Sequence, residues 1–350
     1  MVFVYHSSDA FAPVLATSMA SIFENNKSVD VIEVYVFETE ISDANKKRLY
    51  ELTCRYKRKI IFIPMPDINN ALQLGLKDVG KKGWFFNSYC KLFLDELLPN
   101  EIDRVIYLDS DVLVVDDLTT LWNLDMKDKC AAAVIDCLGE KYYSLLGLNE
   151  KAKYCNSGII LENLKEWRKQ RIGDKIRNYI KENGGYVFFM EQTAFNGGLQ
   201  EDILILHPKY NVYTMMKCLD YDEIIKLRKV ERFYSKKEID EAIANPKIIH
   251  LTNTFLLANR AWYKNSSHPY YLIYQHYKKL TPWCNDSDFI DKRSVKDKLI
   301  QLFVDILPKS LVLRIASVLY NYVRVYIIKQ QMMKYSNNRY KGKKDEENRR

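Results

Sequence analysis

Short apolar segments alternate with helix-like segments through the first two thirds of this chain of 350 residues. Val2–His6, Val31–Phe37 and Lys59–Pro64 are rich in β-formers, and the segments between them carry helix signals, with Pro13 in one first turn and Ser42 as the cap of another. Strands that alternate with helices in this way indicate a largely parallel sheet. We therefore expect an α/β protein, a single Rossmann-like domain with a mixed, mainly parallel sheet.

The same alternation continues in the middle of the chain. It predicts a helix from Ser88 to about Leu98, a strand at Arg104–Leu108 and a longer helix at Asn163–Lys181. Ligands of open α/β sheets bind at the carboxyl ends of the strands, so residues that follow these strands are candidates for a site. Further short strands are expected at Cys130–Ile135, Ile159–Leu161, Ile203–His207 and Lys247–Leu251.

The composition changes towards the end of the chain. Residues 276–334 are predicted to form a helical, basic and aromatic extension, and residues 335–350 a charged tail too poor in apolar residues to fold. The extension either packs on the core as a helical subdomain or lies in a membrane interface, with its Lys and Arg side chains on anionic lipid. Because Arg314, Arg324 and Lys329 leave uncharged runs far below the roughly 20 residues of a membrane span, we expect no transmembrane helix.

Charge and cysteine content narrow the choice of partners and compartment. A net charge of +8 would suit nucleic acid or an anionic membrane. The sequence has no zinc-finger spacing or other nucleic-acid module, so we expect no nucleic-acid partner. The seven cysteines are scattered without a C-x-x-C pair, and the first residues read as a core strand instead of a signal peptide. We therefore expect reduced thiols and a cytoplasmic location.

Two carboxylates follow the strand that ends at Leu108. Alternate side chains of an extended chain point the same way, so Asp109 and Asp111 are expected to converge. Two converging carboxylates at the end of a buried strand are costly unless a cation joins them. Mg²⁺ or Mn²⁺ suits oxygen ligands and commonly also holds phosphate groups. A chance pair of solvated carboxylates in a loop is the simpler alternative.

The residues around this pair resemble a known family. Tyr107–Leu113, followed by Asp117–Trp122, is similar to the Asp-x-Asp region of family 8 retaining glycosyltransferases, the group of lipopolysaccharide galactosyltransferases and glycogenin. The resemblance spans about residues 1–270 and implies a GT-A-type fold for residues 1–275. Further elements that resemble the family follow its order, at Tyr5–Asp9, Tyr154–Ile159, Glu191–Asn196, Pro208–Val212 and Ile248–Leu251.

The resemblance implies a metal centre. Asp109, Asp111 and His250 would bind Mn²⁺, with Mg²⁺ as the alternative, and the ion would bridge the diphosphate of a UDP-sugar. One imidazole beside carboxylates suits Mn²⁺ better than Ca²⁺, which prefers oxygen ligands throughout. A hydrogen-bonded histidine at a strand end is the simpler alternative for His250.

The family resemblance also implies roles for other residues. Asp136, Glu191 and Gln192 would lie on the sugar face as the catalytic candidates, Asp136 binding hydroxyl groups of the donor or acceptor. Each has a plainer alternative, such as a helix cap for Asp136 or a solvated lysine for Lys91. The residues expected to contact the donor nucleotide or sugar are Ser8, Asp9, Lys91, Ser110, Asn156 and Arg260.

The chain departs from the family pattern at several of these positions. Ser8 stands where the bacterial galactosyltransferases often have an aspartate, Lys91 replaces an arginine, and Glu191 replaces an aspartate. Exchanging Arg for Lys keeps the charge and removes a bidentate contact. The loop after His250 is longer, lacks the family's glycine, and offers Arg260 in place of its phosphate-binding lysine.

The function expected from the resemblance is a retaining, metal-dependent hexosyltransferase. It would move glucose or galactose from a UDP-sugar to a glycan or lipid-linked glycan in lipopolysaccharide, capsule or other surface polysaccharide. The extension would hold the enzyme on the inner face of the cell membrane. A haloacid-dehalogenase-type phosphatase, whose Asp-x-Asp usually lies on the first strand, and an inactive membrane-associated scaffold of the same fold are the alternatives.

Overall fold

The computed structural model describes residues 1–77, 83–254, 259–291 and 293–333. The charged tail predicted at residues 335–350 lies outside the described residues.

The strands pair into a large central sheet and a small sheet beside it. In chain order they are β1 (Val2–Ser8), β2 (Glu33–Thr39), β3 (Lys59–Pro64), β4 (Arg104–Leu108), β5 (Val112–Val114), β6 (Ala131–Ile135), β7 (Cys155–Asn163), β8 (Ile203–Ile205), β9 (Val212–Tyr213) and β10 (Ile248–His250). The central sheet has the order β3-β2-β1-β4-β7-β6-β8, and the small sheet has the order β5-β10-β9. In the central sheet β7 runs antiparallel to both neighbours, while the other described pairs are parallel. The mixed, mainly parallel sheet expected from the sequence is confirmed.

The α-helices lie between and after these strands. They are α1 (Ala12–Asn25), α2 (Asp43–Arg55), α3 (Ile68–Ala71), α4 (Leu94–Leu97), α5 (Thr119–Trp122), α6 (Lys141–Leu145), α7 (Leu164–Lys169), α8 (Ile172–Glu182), α9 (Met190–Leu199), α10 (Thr214–Cys218), α11 (Tyr221–Arg228), α12 (Lys236–Ala244), α13 (Tyr271–Lys278), α14 (Val295–Ile306) and α15 (Lys309–Val318). Short 3₁₀ segments occur at Asp9–Phe11, Gly83–Leu92, Gln200–Asp202 and Pro208–Tyr210, and a π-helical turn at Leu319–Arg324 follows α15.

Helices cover both faces of the central sheet. Neighbouring residues of β7 point to opposite faces, so Leu161 joins a core with Leu15 of α1, whereas Ile160 joins a second core with Ile176 of α8. Both faces of the sheet are therefore buried, as in other proteins with mainly parallel sheets.

Two of the predicted helices differ from the structure. The helix expected at Asn163–Lys181 is interrupted at Arg171, which has a left-handed backbone with φ of 52° and separates α7 from α8. The helix expected from Ser88 is a 3₁₀ segment up to Leu92, followed by the short α4. Residues 89–94 are all buried, so this segment is enclosed by the rest of the domain.

The domain boundary predicted at residue 275 falls inside α13, and residues after it contact helices that cover the sheet. Lys278 Nζ lies 2.7 Å from Asp288 Oδ1, and Trp283 belongs to the core that also holds α1 and α2. Arg48 of α2 pairs with Asp286 at 2.8 Å. These buried and ionic contacts attach the segment to helices that cover the sheet, and the domain boundary at residue 275 stays a prediction.

The extension docks one side of its last helix on the domain. Lys309 Nζ lies 2.7 Å from Glu223 Oε2, and Asn321 Nδ2 donates to the carbonyl oxygen of Leu227 at 2.8 Å. Both contacts are made to α11. Other side chains of the helix are exposed and apolar, among them Val318, Val323, Tyr326 and Ile327.

The same helix bears on the expectation that the chain has no transmembrane helix. Lys309–Met333 is a continuous helix of 25 residues that is long and apolar enough to cross a bilayer by length and composition. The expectation of no such helix counted only uncharged runs, whereas here a few basic residues are spread along an otherwise apolar helix. Its polar contacts with α11 attach it to the surface of the domain.

Candidate active site

Residues from three neighbouring strands meet at one edge of the central sheet. Asp109 follows the end of β4, and Asp136 follows the end of β6. Because β7 runs in the opposite direction, its first residues lie beside these two ends. The amide of Asp109 donates to the carbonyl oxygen of Gly158 at 2.8 Å. The topology of the sheet thus explains why residues far apart in sequence form one site, at the edge where α/β proteins bind ligands.

Asp109, Asp111 and His250 form a single cluster at this edge. Their candidate ligand atoms all lie within 4.8 Å of one another. The small sheet creates this proximity, because β10 pairs antiparallel with β5 and places His250 opposite Val112. Nε2 of His250 lies 3.2 Å from Oδ1 of Asp111, while Nδ1 is buried without a hydrogen-bond partner among the described residues. The three residues predicted as metal ligands are therefore brought together.

Cationic side chains surround the acidic pair. Arg260 Nη1 lies 3.1 Å from Oδ2 of Asp111 and also donates to the carbonyl oxygen of Leu251 at 3.0 Å. Burial opposes the ionisation of Asp111, but the nearby His250 and Arg260 outweigh it and hold the pKa of the carboxyl below its ordinary value. Asp111 is therefore ionised at neutral pH and ready to bind a cation.

Lys91 is a buried cation with only 1% of its surface exposed. Its Nζ lies 2.8 Å from Oδ1 of Asp109 and 3.7 Å from Oε1 of Glu191, and it donates to the carbonyl oxygen of Ser157 at 3.1 Å. Burial alone would lower the pKa of the Lys91 ammonium, but Asp109 and Glu191 raise it above its ordinary value. Lys91 is thus a charged part of the site, and not the solvated helix residue of the alternative interpretation.

A second network surrounds Asp136. Its Oδ2 accepts hydrogen bonds from Gln192 Nε2 at 2.9 Å and from Asn156 Nδ2 at 3.2 Å. The amide group of Gln192 is further fixed because its Oε1 accepts from the backbone N–H of Ser157 at 3.2 Å. Asp136 and Gln192 line a cavity of about 150 Å³. Two of the three predicted catalytic residues therefore face this pocket, whereas Glu191 contacts Ser88 and Lys91 instead.

The residues predicted to contact the nucleotide lie at the end of β1. Ser110 Oγ donates to the carbonyl oxygen of His6 at 3.0 Å. Asp9 contacts the start of α2, where its Oδ1 accepts from the backbone N–H of Ser42, the N-cap residue, at 2.8 Å and from Asn45 Nδ2 at 2.7 Å. Ser8 is the partly exposed last residue of β1. The structure thus gives Asp9 a structural role, and nucleotide contacts by Ser8, Asp9 and Ser110 stay predictions.

The comparison with protein families identifies the chain. Residues 2–255 match the model described as glycosyl transferase family 8, which is well over half of the sequence. The chain belongs to glycosyltransferase family 8. The resemblance inferred from the sequence is confirmed, and so is the inference that the protein is a glycosyltransferase. Of the predicted site residues, Arg260 alone lies outside the segment that matches the family 8 model.

Relatives of this family 8 chain include bacterial proteins. General stress protein A of Bacillus subtilis is 30% identical over 279 residues, which cover 79% of this chain and 92% of that protein. Lipopolysaccharide 1,2-glucosyltransferase of Escherichia coli K12 is 26% identical over 277 residues, covering 78% of this chain and 76% of that enzyme.

Solved structures share the fold. Galactosyltransferase LgtC in complex with donor and acceptor sugar analogues superposes with a TM-score of 0.65 at 20% identity, covering 81% of this chain and 96% of that one. The GT-A-type fold expected for a family 8 member is confirmed by this likeness.

Several contributors to the family 8 site were missed in the sequence. Tyr107 donates its hydroxyl to Oδ1 of Asp109 at 3.0 Å, and Asn211 Nδ2 donates to Oδ1 of Asn156 at 2.9 Å. Tyr107 could have been found, because it lies two residues before Asp109 and therefore on the same face of the extended chain. No local signal marks three residues that line the cavity at Asp136, namely Arg228, Tyr320 and Arg324.

Proposed function

We propose that this family 8 glycosyltransferase transfers glucose or galactose from a UDP-sugar to a glycan acceptor, with retention of configuration and with Mn²⁺, or alternatively Mg²⁺, as cofactor. The observation that carries the proposal is the cluster of Asp109, Asp111 and His250 beside the buried Lys91. The name of the Escherichia coli relative supports lipopolysaccharide as one class of acceptor, and capsule or another surface polysaccharide would fit the same chemistry.

The donor set fits a divalent metal. Two carboxylates and one imidazole offer the oxygen and nitrogen atoms that Mn²⁺ accepts, and Nδ1 of His250 is buried without a hydrogen-bond partner among the described residues while Nε2 lies 3.2 Å from Asp111. Asp109, Asp111 and His250 would hold the ion. When bound, it supplies Lewis-acid stabilisation of the charge that develops on the departing nucleoside diphosphate.

The protein's own residues would place the donor. Asp136 Oδ2 accepts from Gln192 and Asn156, and its Oδ1 accepts from the backbone N–H of Cys137 at 2.7 Å. A carboxylate has about four acceptor positions, so one on Oδ1 is left for a sugar hydroxyl. Arg260 and Lys91 add positive charge for the diphosphate. Donor binding by these residues follows from their hydrogen-bonding capacity and position.

The residues on the sugar face favour attack from the same side as the leaving group. Gln192 is uncharged and therefore a poor nucleophile, while Glu191 accepts a hydrogen bond from Ser88 at 2.8 Å and lies near Lys91. In the proposed step the bond from the anomeric carbon to the diphosphate breaks through an oxocarbenium-like state. The acceptor oxygen then bonds on the same face and gives its proton to the departing phosphate. A covalent route would use Glu191 instead.

Two alternatives are less well supported. A haloacid-dehalogenase-type phosphatase would carry its aspartates on the first strand, whereas Asp109 follows β4 and the chain belongs to a transferase family. An inactive scaffold need not have kept the complete cluster of Asp109, Asp111 and His250.

Nucleotide binding gives the direct test. We expect the full-length protein to bind UDP at least about tenfold more tightly with Mn²⁺ than after chelation with EDTA, because the ion joins two carboxylates to the diphosphate. Calorimetry measures the binding, and a panel of UDP-sugars assayed for Mn²⁺-dependent release of UDP identifies the donor. An equal affinity for UDP with Mn²⁺ and after chelation would reject the metal-dependent transferase and favour the scaffold.

The exposed face of the extension supports a peripheral position on the inner face of the cell membrane. Leu299, Leu302 and Ile306 project from α14 at helical spacing and are each at least half exposed. Lys and Arg side chains of the same segment would contact anionic lipid. The contacts of Lys309 and Asn321 with α11 favour a helix that lies along the membrane surface while attached to the domain.

Replacing Leu299, Leu302 and Ile306 together by serine is expected to reduce binding to phosphatidylglycerol-containing vesicles by at least about tenfold, because burial of apolar surface drives interfacial binding. Vesicle flotation measures the bound fraction. Leu272→Ser is the matched control, since Leu272 is 79% exposed but lies on α13 outside the extension. Unchanged flotation of the triple variant, or an equal loss with Leu272→Ser, would argue against this membrane face.

A further inference from the structure

The extension and the domain enclose a groove that is distinct from the exposed face of α14. The groove has a volume of about 760 Å³ and is lined largely by apolar side chains. Phe303 and Leu307 come from α14 and the residue after it, and Ile315 and Leu319 come from the last helix. A groove of this composition suits hydrocarbon better than a sugar, because it offers few groups that could hydrogen-bond hydroxyls.

Three side chains line both this groove and the smaller cavity at Asp136 and Gln192. They are Arg228, Tyr320 and Arg324. The guanidinium carbons of Arg228 and Arg324 lie 4.1 Å and 5.9 Å from the centre of the Tyr320 ring. The apolar groove and the polar pocket therefore share a border that consists of two cations and one aromatic ring.

Neither arginine at this border pairs with a carboxylate among the described residues. Nε of Arg228 is buried without a hydrogen-bond partner, and its Nη2 contacts the sulfur of Met215 at 3.8 Å. Arg324 lies over the ring of Phe189 at 4.7 Å. Arg232, by contrast, pairs with Glu140 at 3.2 Å.

A buried guanidinium donor without an acceptor is costly, and its planar fork matches phosphate oxygens. The border between groove and pocket thus has unused capacity for an anion. This border separates the apolar groove from the polar pocket. A molecule with its hydrocarbon end in the groove and its sugar end in the pocket would place the junction of the two ends here.

Resting on the proposed transferase function, we infer that the acceptor is an amphiphile in which a phosphate group joins a glycan to a hydrocarbon chain. The phosphate binds Arg228 and Arg324, the chain occupies the groove under the extension, and the sugar end reaches Asp136 and Gln192. The extension is then part of the acceptor site, since Tyr320 and Arg324 belong to it.

The test uses three probes with the full-length protein, each below its micelle-forming concentration. Dodecyl phosphate has both chain and anion, butyl phosphate has little chain, and dodecanol has no anion. Calorimetry is expected to show that dodecyl phosphate binds at least about tenfold more tightly than either of the others, since both apolar burial and charge-assisted hydrogen bonds contribute.

Single substitutions test where dodecyl phosphate binds. Arg228→Gln and Arg324→Gln should each weaken dodecyl phosphate binding by about tenfold, because a hydrogen bond to a charged group is lost. Ala316→Trp, which fills the groove, should weaken both probes that carry a long chain. Arg314→Gln is the matched control, because it removes the same charge from an exposed position on the same helix.

Equal affinity for dodecyl phosphate and dodecanol would overturn the inference, as would a loss with Arg314→Gln as large as that with Arg228→Gln. The first result would mean that the groove binds hydrocarbon without recognising phosphate. The second would mean that any basic side chain of the helix attracts the anion. Binding of Mn²⁺ and UDP, measured on the same preparation, tests the transferase function separately. Failure there with intact phosphate-selective binding would reject the transferase function alone.

Discussion

Asp111→Asn is expected to lower the rate of sugar transfer by more than about a hundredfold, since even the outer-shell partners of metal ligands commonly contribute about 10–100-fold. Asparagine keeps the size of the side chain but removes the charge that faces both His250 and Arg260. The affinity for Mn²⁺ should fall with the rate. Initial rates of UDP release at saturating Mn²⁺ and calorimetric titration of the metal measure the two effects.

Asp116→Asn provides the matched control for that variant. Asp116 lies a few residues further along the chain and pairs with Lys247 at 2.7 Å, outside the acidic cluster. We expect this variant to stay within about threefold of the parent rate, as surface ion pairs contribute little. A nearly normal rate for Asp111→Asn, or equal losses for the two variants, would contradict the assignment of Asp111 as a metal ligand.

Gly158→Ala is expected to disrupt the cluster from the opposite side. A Cβ at this position would lie 2.3 Å from Cε1 and 2.9 Å from Nδ1 of His250, so the imidazole would have to move. Overpacking of this kind costs about 1–3 kcal/mol of stability. Because the ring would leave its place opposite Asp111, we also expect at least about tenfold weaker Mn²⁺ binding, as for other disturbances of a metal shell.

The control for this variant is a second glycine. At Gly173 a new Cβ would meet mainly the Oε1 end of Glu96 at 2.7 Å, and that flexible side chain can move away. Gly173→Ala should therefore leave both Mn²⁺ affinity and transfer unchanged. If Gly158→Ala binds Mn²⁺ like the parent protein at a temperature where both are folded, then His250 does not depend on this close contact.

The parts of the fold that could be predicted are those with local signals. The strand pattern identified β4 and β10, and the side-chain period of two placed Asp109 and Asp111 on one face. The break at Arg171 was not predictable, because neither glycine nor proline occupies the left-handed position. The 3₁₀ geometry around Lys91 likewise has no local signal in the sequence, which predicted an α-helix there.

The same distinction applies to the site. The strand pattern identified Asp109 and Asp111, and a family resemblance that follows the order of the chain added His250. The border formed by Arg228, Tyr320 and Arg324 depends instead on how the extension docks against α11. Helix docking joins surfaces that are distant in sequence, and no spacing rule connects them. The burial of Lys91 between Asp109 and Glu191 is a tertiary feature of the same kind.

The pairing of β5 with β10 also determines when the proposed metal centre can be completed. The acidic pair leaves the ribosome long before Ile248–His250, and the imidazole reaches its place only when β10 is added to the small sheet. Because a domain generally folds as a unit, a nascent chain that stops short of β10 holds two aspartates without their third partner. The proposed centre is therefore completed late in maturation, and a fragment that ends before this strand lacks one of its three ligands.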